Sequence, residues 1–350
     1  MPGASALTKS AIQSLLTQLD EIERGSGNGV LTFPGGSLEV SNLRKPFWPG
    51  GSRKRRPGRV GPGASATGAL TKGDLFRHYV RVAPLILPVL ADRPLVMKRY
   101  PNGITGSPFY QHRAPDKVPS GVRIERVDTG SEMRPHLIGG GLATLLYTAQ
   151  LGAISQDPWF SRAPTPDAID HVAIDLDPPE RLSYDRVLDV ARWVRDALAT
   201  LKAIGFAKTS GAGGLHVYVP MPPKTTYDSG LLFAQIVATM VAERHPKEAT
   251  IERSLKARGR RVYVDFMQNA LGKTLASAYS ARASEFAGVS TPITWDEVDE
   301  GVSPRDFTVA NFDQRIKSAG DPWRGLRTSK GPDLTSLERA TETQRHRVTK

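Results

Sequence analysis

Residues 171 to 180, HVAIDLDPPE, set two carboxylates, Asp175 and Asp177, inside an apolar run that a double proline ends. Side chains two apart in a strand share a face, so Val172, Ile174 and Leu176 pack on one side and both aspartates project from the other. Two carboxylates side by side repel. A strand carries such a pair readily when cations sit between them, the arrangement that two-metal phosphoryl transfer requires. An Asp-x-Asp pair also occurs as a solvated strand rim or a loop cap, so the reading needs support from elsewhere in the chain.

Some support comes from IERSLKARGRRVYVDFMQN, residues 251 to 269. There Val262, Val264 and Phe266 alternate with Tyr263 and Asp265, which turns Asp265 away from the core like the first pair. Three strand-borne acids with arginines just upstream suit a site in which acids hold divalent ions and bases neutralise a triphosphate. Charge points the same way. Lys plus Arg outnumber Asp plus Glu by 47 to 35, a net +12, which favours a polyanion such as nucleic acid, although a merely basic soluble protein shares that balance.

With 350 residues, 39% of them hydrophobic, the chain can bury a real core as one large domain or two ordinary ones. The absence of cysteine excludes disulfides, thiolate catalysis and Cys-based zinc sites and fits a reducing compartment. Apolar runs are short and broken by proline, and no charged-then-apolar leader opens the chain, so a cytoplasmic protein without membrane contact is expected.

The remaining pattern places these motifs. Ile12, Leu15, Leu16, Leu19 and Ile22 form a helical stripe over residues 9 to 24, and residues 30 to 40 read as a hairpin turning at Pro34, Gly35 and Gly36. Residues 51 to 70, GSRKRRPGRVGPGASATGAL, cannot form a core; they are either a solvated linker or a flexible contact to phosphates. A helix capped by Thr71 runs to Leu90, and residues 92 to 103 read as a strand ending in a Pro-Asn-Gly turn. Phe109 and Tyr110, beside Gln111, His112 and Arg113, are either core residues or a platform on which bases stack. Helices are expected over residues 140 to 154, 183 to 204 and 229 to 245. Between the last two, the glycine-rich turn 211 to 214 leads into a strand with His216; Ser210 and His216 flank backbone amides free to meet phosphate, although such a turn is commonly a plain hairpin. From about Thr328 a polar tail is expected.

Taken in order, SNLRKPFWP, TKGDL, DRPLVMKRYPNG, FYQ, AIDLDPPE, TSGAGGLHVYVP, VYVDFMQN, KTLASAYSARA and STPITWDEV resemble the polymerase domain of bacterial ligase D, within the archaeo-eukaryotic primase superfamily. The resemblance runs from about Asn42 to about Trp323. It implies a mixed α/β fold, a catalytic sheet flanked by helices plus an N-terminal α/β portion. It also implies an extension over residues 1 to 38, a primase-polymerase domain over 39 to 327 with 51 to 70 as a basic insertion, and a tail over 328 to 350. The function implied is a stand-alone nucleotidyltransferase, similar to mycobacterial gap-filling and excision-repair primase-polymerases, that prefers ribonucleotides. Asp175, Asp177 and Asp265 would be its catalytic and metal-binding acids, for manganese or magnesium. Ser210, His216, Arg258 and Gln268 would contact the nucleoside triphosphate. Lys98, with Asn42, Lys45 and Lys72, would read a downstream 5′-phosphate on gapped or nicked DNA, and Phe109 and Tyr110 would stack on template bases. A separate ligase and end-binding proteins are implied partners, and association with the nucleoid would follow from DNA binding. Two positions depart from the pattern: Gly213 stands where the family carries a lysine, and Asp157 where it carries a histidine near the metals. These departures leave open a DNA-end-binding module with weak or lost polymerase activity, and a metal-dependent nuclease is a second alternative because three carboxylates serve hydrolysis equally well.

Overall fold

The computed structural model describes residues 7–50 and 68–335. Its central element is the strand Thr165–Asp177, six residues longer at its start than the motif alone suggests. On one side it pairs antiparallel with Leu215–Thr226, placing His216 opposite Asp175. On the other it pairs antiparallel with Val262–Asp265, placing Asp265 opposite Asp175 and Tyr263 opposite Asp177. Ala249–Thr250, Phe206–Thr209 and Pro292–Ile293 extend the sheet outward, and Ser161–Arg162 pairs with the near end of the Asp175 strand. The register thus collects the two acid-bearing segments and the histidine, far apart in sequence, on three adjacent strands.

One face of this sheet is covered by helices Tyr184–Thr200 and Tyr227–Arg244, each started by a hydroxyl N-cap, Ser183 and Thr226. The second helix sits very close: a Cβ on Gly230 would fall 2.3 Å from Ile169 Cδ1 and 2.9 Å from Val172 Cγ1, so only glycine fits there. Val172, Ile174 and Leu176 are fully buried, which leaves the opposite face for the aspartates. Beyond Asp265 the strand pairing stops and a side chain takes over. Asn269 Oδ1 accepts from the Ala173 amide at 2.7 Å, and its Nδ2 donates to the Ala173 and Phe266 carbonyls at 2.7 and 2.8 Å. That clamp ties the turn after Asp265 to the strand that carries Asp175.

The N-terminal portion is a second sheet, ordered Phe109–Gln111, Pro94–Arg99, Met133–Ile138, Ile124–Asp128, with Asp157–Pro158 also on the Pro94 strand. The helix Lys72–Leu90 begins with the expected Thr71 cap, completed as a capping box by Asp74. Helix Lys9–Arg24 docks its Leu15 and Leu19 inward, and Asp20 and Glu23 pair with Arg77 of the Lys72–Leu90 helix. The hairpin Gly29–Phe33 and Gly36–Val40 turns where the sequence places it. Leu15, Leu31, Phe76, Leu145, Val172, Val237 and Phe312 all belong to one contiguous core, so among the described residues the stretch from 7 to 38 packs with the rest. Leu334 rests against that core, and the expected tail beyond residue 335, like most of the 51 to 70 loop, lies outside the described residues. Among the described residues no helix is long and apolar enough to cross a membrane.

Candidate metal centre and its cleft

Asp175, Asp177 and Asp265 each offer an oxygen within 4.8 Å of the other two. Asp175 and Asp265 are each only 6% exposed, whereas Asp177 is open at the strand end. Such crowding favours protons or cations over free charge. Burial pushes Asp175 up to about 6. Burial, then the Asp175 and Asp265 charges, pushes Asp177 up to about 7. Asp265 is held by the Met267 amide at 2.7 Å, Tyr263 OH at 3.2 Å and Gln268 Nε2 at 2.9 Å. Gln268 therefore orients an acid. Asp175 differs: its Oδ1 is buried with no hydrogen-bond partner, and His216 Nε2, 3.2 Å away, lacks the alignment to serve as one. An orphaned carboxylate oxygen in an all-oxygen acid group fits a hard divalent cation such as magnesium or manganese.

Asp175 and Asp177 floor a cleft of about 510 Å³ also lined by Lys98, Tyr100, Tyr110, Asp157, Ser210, Gly213, His216 and Arg282. Ser210 Oγ accepts from the Ala212 and Gly214 amides at 3.1 and 3.0 Å, so it shapes the glycine turn. At Gly213 an added Cβ would meet only Pro178 Cγ, at 3.9 Å, leaving open space beside the turn. Arg282 anchors the same turn by donating to the Ser210 carbonyl at 2.8 Å. Its charge acts to lower both Asp175 and Asp177. Sequence reasoning gave Arg282 no role; its place in AYSARA was visible, but the fold that carries it to the cleft was not. Arg258 lies 3.6 Å over the Tyr263 ring, and its charge likewise acts on Asp177. Asp157 accepts from Ser155 Oγ at 2.7 Å; burial raises its pKa while Arg282 and Lys98 counter that.

The residues expected to read a 5′-phosphate fall into two groups. Asn42, Lys45 and Lys72 come together: the Lys45 amide donates to the Asn42 carbonyl at 2.9 Å, and the Lys72 amide to the Lys45 carbonyl at 2.9 Å. Burial, then the Lys45 and Arg99 charges, pulls Lys72 down to about 8. Lys98 instead faces the acid cleft, 5.8 and 5.4 Å from the Tyr100 and Tyr110 rings. Partial burial works against its proton, but those phenols hold its pKa above the ordinary lysine value. Phe109 and Tyr110 are 45% and 62% exposed, so they are surface aromatics and not core. Arg99 sits 5.1 Å from the Phe109 ring.

An acid group that can hold a metal ion thus opens on a cleft lined by Lys98, Arg282 and His216. The chain belongs to the LigD primase-polymerase domain family, whose model matches residues 71–323. It is 31% identical over 258 residues to the bifunctional non-homologous end joining protein LigD of Bacillus subtilis, covering 72% of this chain and 41% of that protein. To the multifunctional LigD of Pseudomonas aeruginosa it is 30% identical over 257 residues, covering 72% and 30%. The chain therefore spans well under half the length of these relatives. A solved structure, the polymerase domain of Mycobacterium tuberculosis ligase D in complex with DNA, matches with a TM-score of 0.73 and 28% identity, covering 84% of this chain and 99% of that one. Membership implies metal-dependent nucleotidyl transfer, and the three acids can hold the metal.

Proposed function

We propose that this chain fills short gaps in DNA during repair by adding nucleotides, ribonucleotides in preference, to a primer 3′-hydroxyl. The observation that carries the reading is the juxtaposition of the acid group, with its orphaned Asp175 Oδ1, and the cationic cleft. Asp175, Asp177 and Asp265 would hold manganese or magnesium, which when bound lowers the pKa of the attacking hydroxyl and shields the leaving pyrophosphate. The protein's own part is positioning and charge. Gln268, Tyr263 and the Met267 amide fix Asp265. Arg282, Arg258 and the amides of the 211 to 214 turn neutralise and cradle the triphosphate, with Ser210 shaping that turn and His216 reaching into the cleft beside it. Phe109 and Tyr110 stack on template bases, and Lys98, with Asn42, Lys45 and Lys72, reads the downstream 5′-phosphate. A separate ligase would seal the product.

The test is extension of a labelled primer across a short gap in manganese, with and without a downstream 5′-phosphate, offering ribo- and deoxyribonucleotides separately. Extension that is stronger with the 5′-phosphate and with ribonucleotides is expected. Shortening of the primer would replace this reading by a nuclease, and tight gap binding without extension would replace it by an end-binding module.

A further inference from the structure

We propose that a cavity beside the acid cleft, on the same face of the sheet, is a second binding site that takes a small aromatic carboxylate. The cavity holds about 200 Å³. His171 lines it and lies four residues before Asp175 on the strand Thr165–Asp177, hence on the same face; Tyr218 and Pro220, which follow His216 on the partner strand, line it too. Leu275 lines both the cavity and the acid cleft, so the two spaces share a wall. Trp323 and the short helix Arg324–Thr328 supply another part of the lining through Leu326 and Arg327.

Ring, charge and unspent hydrogen bonds define the occupant. Phe160 stacks on Tyr218 with ring centroids 6.3 Å apart, and Tyr218 meets Trp323 at 4.8 Å; all three are buried, and such a wall favours another ring. Arg93, Arg162 and Arg327 line the cavity against a single carboxylate, Asp170. Asp170 already pairs with Arg93 at 2.6 Å, Arg162 at 2.9 Å and His171 at 2.6 Å, and Arg327 pairs with Asp321. Two carboxylates thus face three guanidinium groups, and an anionic ligand would balance the third. Trp323 Nε1 and Ser277 Oγ, both on lining residues, are buried with no hydrogen-bond partner. An indole N–H only donates and a hydroxyl can donate, so carboxylate oxygens suit both. Size sets the limit: an apolar cavity of roughly 150 Å³ takes up benzene, so this one has room for one ring and its carboxylate but not for a nucleoside triphosphate. The inference is independent of nucleotidyl transfer.

The experiment titrates the full chain with benzoate by calorimetry, with benzamide and acetate as comparison ligands. One benzoate per chain is expected, with a Kd of about 1 mM or tighter. Benzamide, which keeps the ring without the charge, and acetate, which keeps the charge without the ring, should each bind at least about tenfold more weakly. Trp323→Phe removes the N–H and keeps an aromatic ring, so benzoate affinity should fall about tenfold. Val89, on the helix Lys72–Leu90, lines the cavity and is only half-buried, so Val89→Phe should fill the space and abolish binding. Absence of saturable benzoate binding overturns the proposal, as does equal affinity for benzamide or acetate. Wild-type benzoate affinity in a folded Val89→Phe overturns it too, since the ligand would then sit elsewhere, the cationic acid cleft included. Should Val89→Phe fail to fold, Trp323→Phe decides in its place.

Discussion

Metal affinity at the acid group should depend steeply on pH between 6 and 8. Without metal, Asp175 and Asp177 hold protons up to about 6 and about 7, and the two titrate as a coupled pair. A cation must displace those protons, so affinity rises with pH until both groups are ionised. At pH 8 the protons cost almost nothing. At pH 6 both groups hold protons in part, most of all the one near 7, and because Asp177 is open to solvent the drop in affinity is about tenfold. Stability runs the other way. The folded, metal-free protein binds more protons than the unfolded chain between the ordinary carboxylate range and these raised values, so it loses stability as pH rises through that window. Adding metal should reverse the trend. Titration of metal-free protein with manganese at pH 6, 7 and 8, followed by calorimetry, reads the first effect directly. Asp177→Asn should weaken binding and flatten its pH dependence. Affinity that is constant across this range, or equally steep in Asp177→Asn, would refute the idea that crowded buried carboxylates bind the ion.

Other perturbations have equally definite outcomes. Gly213→Lys enters open space and adds a cation to the cleft, so KM for the nucleoside triphosphate should fall roughly tenfold, about the value of one charge-assisted hydrogen bond, in steady-state extension assays. Tyr110→Ala should weaken binding to gapped DNA by about 1–3 kcal/mol, the usual loss for one stacked base, measured by fluorescence anisotropy. Because Lys72 loses its proton near 8, preference for a 5′-phosphorylated over a 5′-hydroxyl gap should decline from pH 7 to pH 9 in the same anisotropy assay, and Lys72→Met should show little of that dependence. Leu19→Ala removes a fully buried contact between the first helix and the core and should cost about 2–5 kcal/mol in chemical denaturation; a negligible change would mean the first 38 residues are dispensable to the fold.

The acids were readable from sequence because strand alternation is a strictly local signal: Asp175 and Asp177 share a face whatever the sheet does around them. Helix starts and tight turns were readable for the same reason, as the Thr71 cap and the Pro34–Gly35 hairpin turn illustrate. What alternation cannot state is which strands become neighbours. That Asp265 and His216 flank Asp175 depends on a register between segments some 40 to 90 positions apart, and only the family resemblance suggested that they meet. Residues that work through another residue were the least visible. Lys208 looks like any strand lysine until its three polar neighbours are seen, and Asn269 looks like a turn residue until it clamps Ala173. The local pattern left Phe109 and Tyr110 open between core and surface, because exposure is set by what the rest of the chain covers.

Transfer of an α-labelled ribonucleotide onto the 3′-hydroxyl of a gapped primer, in manganese, by wild type and by Asp175→Asn and Asp265→Asn, tests the central claim most directly. Label should join the primer with wild type and be lost in both variants, whose folding and DNA binding stay near wild type. Label transfer that survives in the variants, or a wild type that binds the gap and transfers none, would contradict the assignment of the acid group as the centre of nucleotidyl transfer.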